Sequence, residues 1–109
     1  MKNIYKTSSQ GYIEILDGIK RKTLVFGEHT ILAEFKLAAG KIVPLNNHSE
    51  EQTGYLVSGH ILLFIDGKQH DMKPGDAWAI PCKMPHSVQI LEDSVVVEIF
   101  SPVRKDYLP

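Results

Sequence analysis

Residues 40–59 read GKIVPLNNHSEEQTGYLVSG, and residues 75–88 read GDAWAIPCKMPHSV. Both segments are dense in glycine, proline and polar residues, whereas the runs around them are apolar and alternate with a period of two. From Ile31 to Leu37, for example, every second side chain is apolar, which is the pattern of a strand with one buried face. The two segments therefore interrupt a series of strands, and they carry the candidate chemistry.

Turn residues divide the rest of the chain into short strands. The sequence predicts strands at residues 12–16, 21–26, 29–37, 52–57, 61–65, 68–72, 77–80, 86–91 and 94–101. Asp66-Gly67 is typical of a tight hairpin, and Ser58-Gly59 is typical of a turn. About nine or ten strands without helical periodicity predict an all-β fold, a single antiparallel barrel or sandwich. Residues 102–109 lose the pattern, and we expect a loop or a short arm laid on the barrel.

Length and composition exclude several classes of protein. The chain has 109 residues, which fits one domain with one core. Hydrophobic residues make up 43% of the chain and the net charge is -1, without a basic stripe, so we expect no nucleic-acid partner and no membrane. We expect no secretory signal, because the N-terminus lacks a continuous apolar run. Cys82 is the only cysteine, which favours a reducing, cytoplasmic location.

Four polar residues in the two segments are candidate metal ligands. Asn46 and His48 are two residues apart and point to the same side if the backbone there is extended. Gln52 begins the next predicted strand and His86 begins another, so a barrel brings the four together. Neutral imidazole is a common ligand of divalent metals, and a carboxamide oxygen is a weaker one. The alternative is that His48 lies in a solvated loop and binds nothing.

The two segments resemble the two motifs of the cupin superfamily. The first cupin motif is commonly Gly, five residues, His-x-His, three or four residues, Glu, six residues, Gly. This chain has the same spacing at Gly40, Asn46, His48, Gln52 and Gly59. The second motif commonly reads Gly-Asp, an apolar stretch, Pro and then Pro-His, as in Gly75-Asp76, Ile80-Pro81 and Pro85-His86. The resemblance covers about residues 29–101 and implies a cupin jelly roll, with Asn46 and Gln52 in place of the usual His and Glu.

One branch of cupins is similar in further positions. The arrangement His48-x-x-Glu51-Gln52-x-x-Tyr55 resembles cupins of the pectin-degradation, KdgF-like type, which use Gln as a ligand beside three histidines. In that branch an acidic-x-Phe-x-x-x-Arg stretch lines the pocket, and here Glu98, Phe100 and Arg104 match it. The resemblance implies the opening of a 4,5-unsaturated uronate ring to a linear keto form. It also implies a divalent metal (Zn, Ni, Fe, Mn or Co) on His48, Gln52 and His86, with Asn46 as a weak fourth ligand.

Each remaining candidate has two interpretations. Glu98 is either a proton-transfer group or a residue at a solvent-exposed edge. Arg104 either holds a substrate carboxylate with two parallel hydrogen bonds or is a solvated arginine of the tail. The aromatic side chains of Phe100, Tyr55 and Trp78 either line a sugar-binding pocket or belong to the core.

Two functions from different classes remain open on the sequence. The first is a metal-dependent enzyme acting on a small sugar acid, with Glu98 and Arg104 as catalytic residues. The second is a cupin that binds a small carboxylate or sugar acid without catalysis, with or without metal. Asn46 in the place of a ligand histidine favours the second. We also expect a homodimer formed through an apolar outer sheet face.

Overall fold

A computed structural model describes all 109 residues, and most of them lie in eight strands. The strands are β1 (Ile13–Leu16), β2 (Ile19–Phe26), β3 (Ile31–Leu37), β4 (Ile42–Asn46), β5 (Glu51–Ile65), β6 (Lys68–Met72), β7 (Ala77–Ile80) and β8 (His86–Ser101). A single 3₁₀ turn, Lys105–Tyr107, follows the last strand. The chain forms no helix long and apolar enough to cross a membrane.

All strand pairs are antiparallel, and they form the predicted cupin barrel. The strand order is β1-β2-β3-β8-β5-β6, with β4 added to β8 and β7 added to β5. The two long strands, β5 and β8, pair with each other from Glu51–Ser101 at one end to Ile65–His86 at the other. Because these two strands connect both halves of the barrel, they set the distances between groups that are far apart in sequence.

The structure corrects two of the predicted strand boundaries and adds a strand. β5 and β8 are each continuous, whereas the sequence predicted two separate strands in each region. Ser58-Gly59 is a bulged bend within β5, because the pairing register shifts on both sides of Ser58 and the strand continues. Gly59 has a φ of +98°, and a Cβ there would overlap the hydroxyl of Ser94, so only glycine fits this bend. β4 was not predicted at all.

The alternation of side chains in β3 places the core as expected, and in β8 the structure shows which of the two faces is buried. The apolar face of β3 from Ile31 to Leu37 is buried. In the second half of β8, the inward side chains are Val96, Glu98 and Phe100, and all three are buried. The strand period therefore carries a carboxylate into the interior beside apolar groups.

Candidate functional site

One cavity of about 100 Å³ opens inside the barrel and collects most of the residues singled out by the sequence. Its polar lining comprises Asn46, His48, Gln52, His86, Glu98, Arg104 and Tyr107. Strand register explains the convergence: Asn46 is paired with His86 across β4 and β8, and Gly54 is paired with Glu98 across β5 and β8. Residues that are tens of positions apart in sequence therefore face one space.

The imidazole of His48 and the amide of Gln52 form the centre of this arrangement. His48 Nδ1 lies 2.9 Å from the carbonyl oxygen of Glu50, so Nδ1 donates its proton there and Nε2 is left with a lone pair. Gln52 Nε2 donates to Glu98 Oε2 at 2.9 Å, which turns Gln52 Oε1 towards His48. His48 Nε2 and Gln52 Oε1 lie 2.6 Å apart. Two lone-pair atoms at this distance repel each other unless a proton or a metal ion lies between them. The pair formed by His48 Nε2 and Gln52 Oε1 is therefore suited to binding a cation.

His86 and Asn46 supply two further potential ligands. His86 Nδ1 lies 2.9 Å from the carbonyl oxygen of Met84, which leaves Nε2 free to bind a metal. Burial lowers the pKa of His86, against the effect of that carbonyl, and this favours the neutral imidazole that metals bind. The ring centroids of His48 and His86 are 5.1 Å apart. The side-chain nitrogen of Asn46 donates to the carbonyl of Pro44, and its side-chain oxygen has no partner within the chain.

The candidate metal ligands are therefore two imidazole nitrogens and two amide oxygens. No group of three or more His, Cys, Asp or Glu residues is placed to hold a metal ion. A divalent metal at this site would therefore depend on Gln52 and Asn46 as well as on the two histidines. Mixed nitrogen and oxygen ligands suit first-row divalent metals, so the residues present fit such an ion without selecting one.

Glu98 is a buried carboxyl group with both oxygens hydrogen-bonded. Gln52 donates to Oε2, and the indole Nε1 of Trp78 donates to Oε1 at 3.1 Å. Burial raises the pKa of Glu98 to about 7, and the two donated hydrogen bonds oppose that increase. Glu98 is therefore an interior group beside the candidate ligands, and the interpretation as an exposed edge residue does not hold.

Arg104 extends from the C-terminal segment over the cavity, and its side chain is only 18% exposed. Nη1 donates to the phenol oxygen of Tyr107 at 3.0 Å, and Nη2 donates to Asp106 Oδ2 at 3.1 Å. Nε faces Asp106 Oδ1 at 3.4 Å and Glu50 Oε1 at 3.9 Å. Of the five guanidinium hydrogens, one on each terminal nitrogen is left without a partner. The side chain is therefore held in place, and two of its N–H groups remain available to a carboxylate.

Two of the predicted substrate-binding residues do not reach the cavity. Tyr55 points outward from β5 and is 46% exposed. Trp78 is buried, but it lies behind Glu98 and does not line the cavity. Phe100 does line the cavity and is also part of the core, with its ring 5.7 Å from that of His48. The position of Tyr55 follows from strand alternation, which sends Tyr55 to the outer surface of the same strand that sends Gln52 inward.

Two residues near the site were missed by the sequence interpretation. Tyr107 lines the cavity and contacts Arg104, and the carboxylate of Glu50 lies between His48 and Arg104, 3.6 Å from His48 Nδ1. The signal for Tyr107 was an aromatic residue in a polar tail three positions after Arg104. A 3₁₀ turn, in which the Tyr107 amide donates to the Arg104 carbonyl at 2.9 Å, brings the two side chains together.

Comparison with known proteins identifies the family of the chain. Residues 33–101 match the protein family described as "Cupin domain". The chain is 33% identical over 97 residues to the pectin degradation protein KdgF of Dickeya dadantii (strain 3937), covering 87% of this chain and 88% of that protein.

Solved structures give the same result. The structure of KdgF from Halomonas sp. superposes with a TM-score of 0.92 at 27% identity, over 99% of this chain and 100% of the other. An RmlC-like cupin from Shewanella frigidimarina NCIMB 400 superposes with a TM-score of 0.89 at 23% identity, over 95% of each chain, and shows the shared fold. With the barrel, both motifs and a curated relative in agreement, the chain belongs to the cupin family and is similar to two proteins named KdgF.

Proposed function

We propose that this cupin opens the ring of a 4,5-unsaturated uronate to the linear keto acid with the help of a divalent metal. The observation that carries the proposal is the composition of a single cavity. Two imidazoles and two amides lie beside the buried carboxyl group of Glu98, and the guanidinium of Arg104 lies above them. Similarity to two proteins named KdgF, one of them described as a pectin degradation protein, supports a substrate derived from pectin.

Ring opening requires the transfer of protons, and the carboxylate of the substrate must be bound while this happens. When the ring opens, the bond between the ring oxygen and the anomeric carbon breaks, and the anomeric hydroxyl loses its proton to become an aldehyde. The enol that is released becomes a ketone when its carbon takes up a proton. Atoms balance without a co-substrate, so the reaction is an isomerisation. A divalent metal, when bound, supplies Lewis-acid polarisation of a sugar oxygen.

Side chains of the protein would supply proton transfer, binding of the carboxylate and packing against the sugar ring. Glu98 lies next to the ligand Gln52, where a carboxyl group can accept and return a proton. Arg104 would hold the substrate carboxylate with its two unpartnered N–H groups. Phe100 forms part of the apolar wall, against which a face of the sugar ring would pack.

The test is an assay of the purified protein on unsaturated galacturonate, following the loss of ultraviolet absorbance from the conjugated double bond. We expect activity to need metal and to be restored by metal after treatment with a chelator. The double variant His48→Ala, His86→Ala should lose both metal and activity. His60→Ala is the matched control, because His60 is bound to Asp71 on the surface and lies outside the cavity. Unchanged metal content in the double variant would contradict the ligand assignment.

A second candidate function is binding of a sugar acid without catalysis. Asn46 favours it, since an amide stands where the cupin motif commonly has a ligand histidine, and no cluster of three strong metal ligands is present. Saturated galacturonate distinguishes the two functions in a calorimetric titration. Binding of this acid, together with no turnover of the unsaturated one at full metal occupancy, would favour the binding protein.

A further inference from the structure

Two guanidinium groups lie over the aromatic ring of Tyr107. The Cζ atom of Arg21 lies 4.0 Å from the ring centroid, and the Cζ atom of Arg104 lies 4.1 Å from it. Arg21 comes from β2 and Arg104 from the C-terminal arm, so the ring joins the arm to the barrel wall. Attraction between a cation and an aromatic face is directional, and it favours stacked guanidinium planes.

Other contacts of Tyr107 keep this ring from moving. The hydroxyl of Thr23 donates to its backbone carbonyl, which ties the 3₁₀ turn to β2. Its ring contacts Phe35 and Phe100 edge-on, with centroid distances of 6.1 Å and 5.1 Å. The ring also forms a wall shared by the site cavity and a neighbouring cavity of about 440 Å³ at the edge of β2. Tyr107 is therefore an anchored part of the site.

The hydroxyl of Tyr107 makes one contact that bears on function. Arg104 Nη1 donates to this oxygen at 3.0 Å, whereas Nη2 and Nε face the carboxylates of Asp106 and Glu50. Two carboxylates would draw the guanidinium towards themselves. The hydrogen bond to the phenol oxygen and the contact with the Tyr107 ring oppose that attraction, and one N–H group on each terminal nitrogen stays without a partner.

We propose that Tyr107 is a positioning residue that holds Arg104 in the orientation needed to bind the substrate carboxylate. This inference rests on the proposed function, since it assigns Tyr107 a part in the same site. A guanidinium that is already fixed loses less conformational freedom when substrate binds, so the contact should increase the affinity for substrate. The chemical step is separate from it.

The kinetic test uses Tyr107→Phe, which keeps the ring and its packing and removes only the hydroxyl. We expect KM for unsaturated galacturonate to rise about fivefold, as for the loss of one hydrogen bond of typical strength, with kcat and metal content unchanged. In the double variant Tyr107→Phe, Arg104→Lys, the effect should be smaller than the product of the two single effects, because Tyr107 acts through Arg104. Tyr12→Phe is the matched control. It loses a hydroxyl that is bonded to Glu34 and lies outside both cavities.

A second measurement does not depend on activity. Arg21 and Arg104 are the only arginines in the chain, so the side-chain NMR spectrum contains two guanidinium groups, and Arg21→Lys leaves only that of Arg104. We expect slow rotation about the Nε–Cζ bond of Arg104 in the parent protein and faster rotation in Tyr107→Phe. Tyr12→Phe should leave the rotation rate unchanged.

The two measurements separate the possible failures. An inactive parent protein would contradict the proposed ring opening, and the NMR rates would still decide whether Tyr107 fixes Arg104. An active parent protein with an unchanged KM in Tyr107→Phe would overturn the positioning role. Equal rotation rates in the parent and Tyr107→Phe would overturn it as well, as would strictly multiplicative effects in the double variant.

Discussion

Gln52 links the candidate metal ligands to the buried carboxyl group. Its amide nitrogen donates to Glu98, and its oxygen faces His48 Nε2. A glutamate at this position, which the cupin motif commonly has, would place a second carboxylate against Glu98 in the interior. Two buried like charges in contact are costly, whereas an amide donates to one side and accepts on the other. The amide at position 52 and the carboxyl group at position 98 are therefore matched to each other.

The role of Arg104 leads to a prediction about substrate affinity. Arg104→Lys keeps the charge but loses the pair of parallel donors, so we expect KM for an unsaturated uronate to rise about tenfold, equivalent to about 1.4 kcal/mol. Metal content should not change, and the variant should still fold. Lys105→Gln is the control, since Lys105 is the neighbouring cation and is exposed. Steady-state kinetics decides the matter, and an unaltered KM in Arg104→Lys would leave the guanidinium without a role in binding.

A second prediction at this scale concerns alkaline pH. Burial, together with the hydrogen bond to Glu34, raises the pKa of Tyr12 to about 12. An unfolded tyrosine titrates near pH 10. The unfolded chain therefore loses this proton first, and the stabilisation present below pH 10 declines between about pH 10 and 12.

The experiment compares the parent protein with Tyr12→Phe. Phenolate absorbance should show one late-titrating tyrosine fewer in the variant, and Glu34→Gln should bring that titration to lower pH. Urea unfolding should show that stability falls less steeply across this pH range in Tyr12→Phe. Parallel pH profiles for the two proteins would show that Tyr12 titrates in its ordinary range.

At the scale of the strands, the close contact between β5 and β7 supports the site from behind. Gly54 is paired with Trp78 across these strands, and a Cβ on Gly54 would overlap the indole. The absence of a side chain therefore lets the indole lie over β5 with its nitrogen directed at Glu98. In this way Gly54, which lies within the first cupin motif, helps to position the carboxyl group of Glu98 on β8.

Gly54→Ala tests this contact between strands. We expect a loss of about 1–3 kcal/mol of stability from overpacking, and a change in the fluorescence of Trp78, the only tryptophan. Gly27→Ala is the matched control, because a Cβ at Gly27 meets no atom within 4 Å and its φ is not positive. Urea unfolding measures both variants. Equal stability of the two would mean that the indole shifts without cost.

On the scale of the whole molecule, the outer face of the barrel predicts self-association. Tyr55, Val57 and Ile99 are exposed there, and Tyr55 is paired with Val97 across β5 and β8, so that the four form an apolar outer face. A contiguous exposed apolar surface is a common site of protein association. The inner side of β5 and β8 carries Gln52 and Glu98. A second copy of the chain bound to the outer face would therefore stabilise the two strands that hold the site.

We predict a homodimer at micromolar concentration, measured by light scattering. Ile99→Glu should produce monomers, because a carboxylate buried without a partner is costly. Leu45→Glu makes the same change at a side chain that is 71% exposed on β4, and it should leave the mass unchanged. A monomeric parent protein would show that the apolar outer face stays in contact with solvent.

The sequence by itself determined the fold class, the inward face of β3, and the candidate set formed by His48, Gln52 and His86. Strand alternation and turn chemistry are local properties, so they can be read over a few residues. The Asp66-Gly67 hairpin illustrates this, since the residues on either side of it, Ile65 and Lys68, are paired as a two-residue turn requires. The cupin motifs added spacing, which located the candidate ligands before any distance was known.

Only the tertiary structure decided which side chains share the cavity. Alternation of apolar and polar residues does not show whether a strand bends and continues. Ser58-Gly59 was therefore interpreted as the end of a strand, and in the structure it is a bend within β5. Alternation also cannot show which aromatic residue meets Arg104. Tyr55 points outward and Trp78 lies behind Glu98, while Tyr107 reaches the cavity from the tail. These placements depend on barrel closure, which brings together β2, β5, β8 and the C-terminal turn, and no local pattern encodes contacts across such separations.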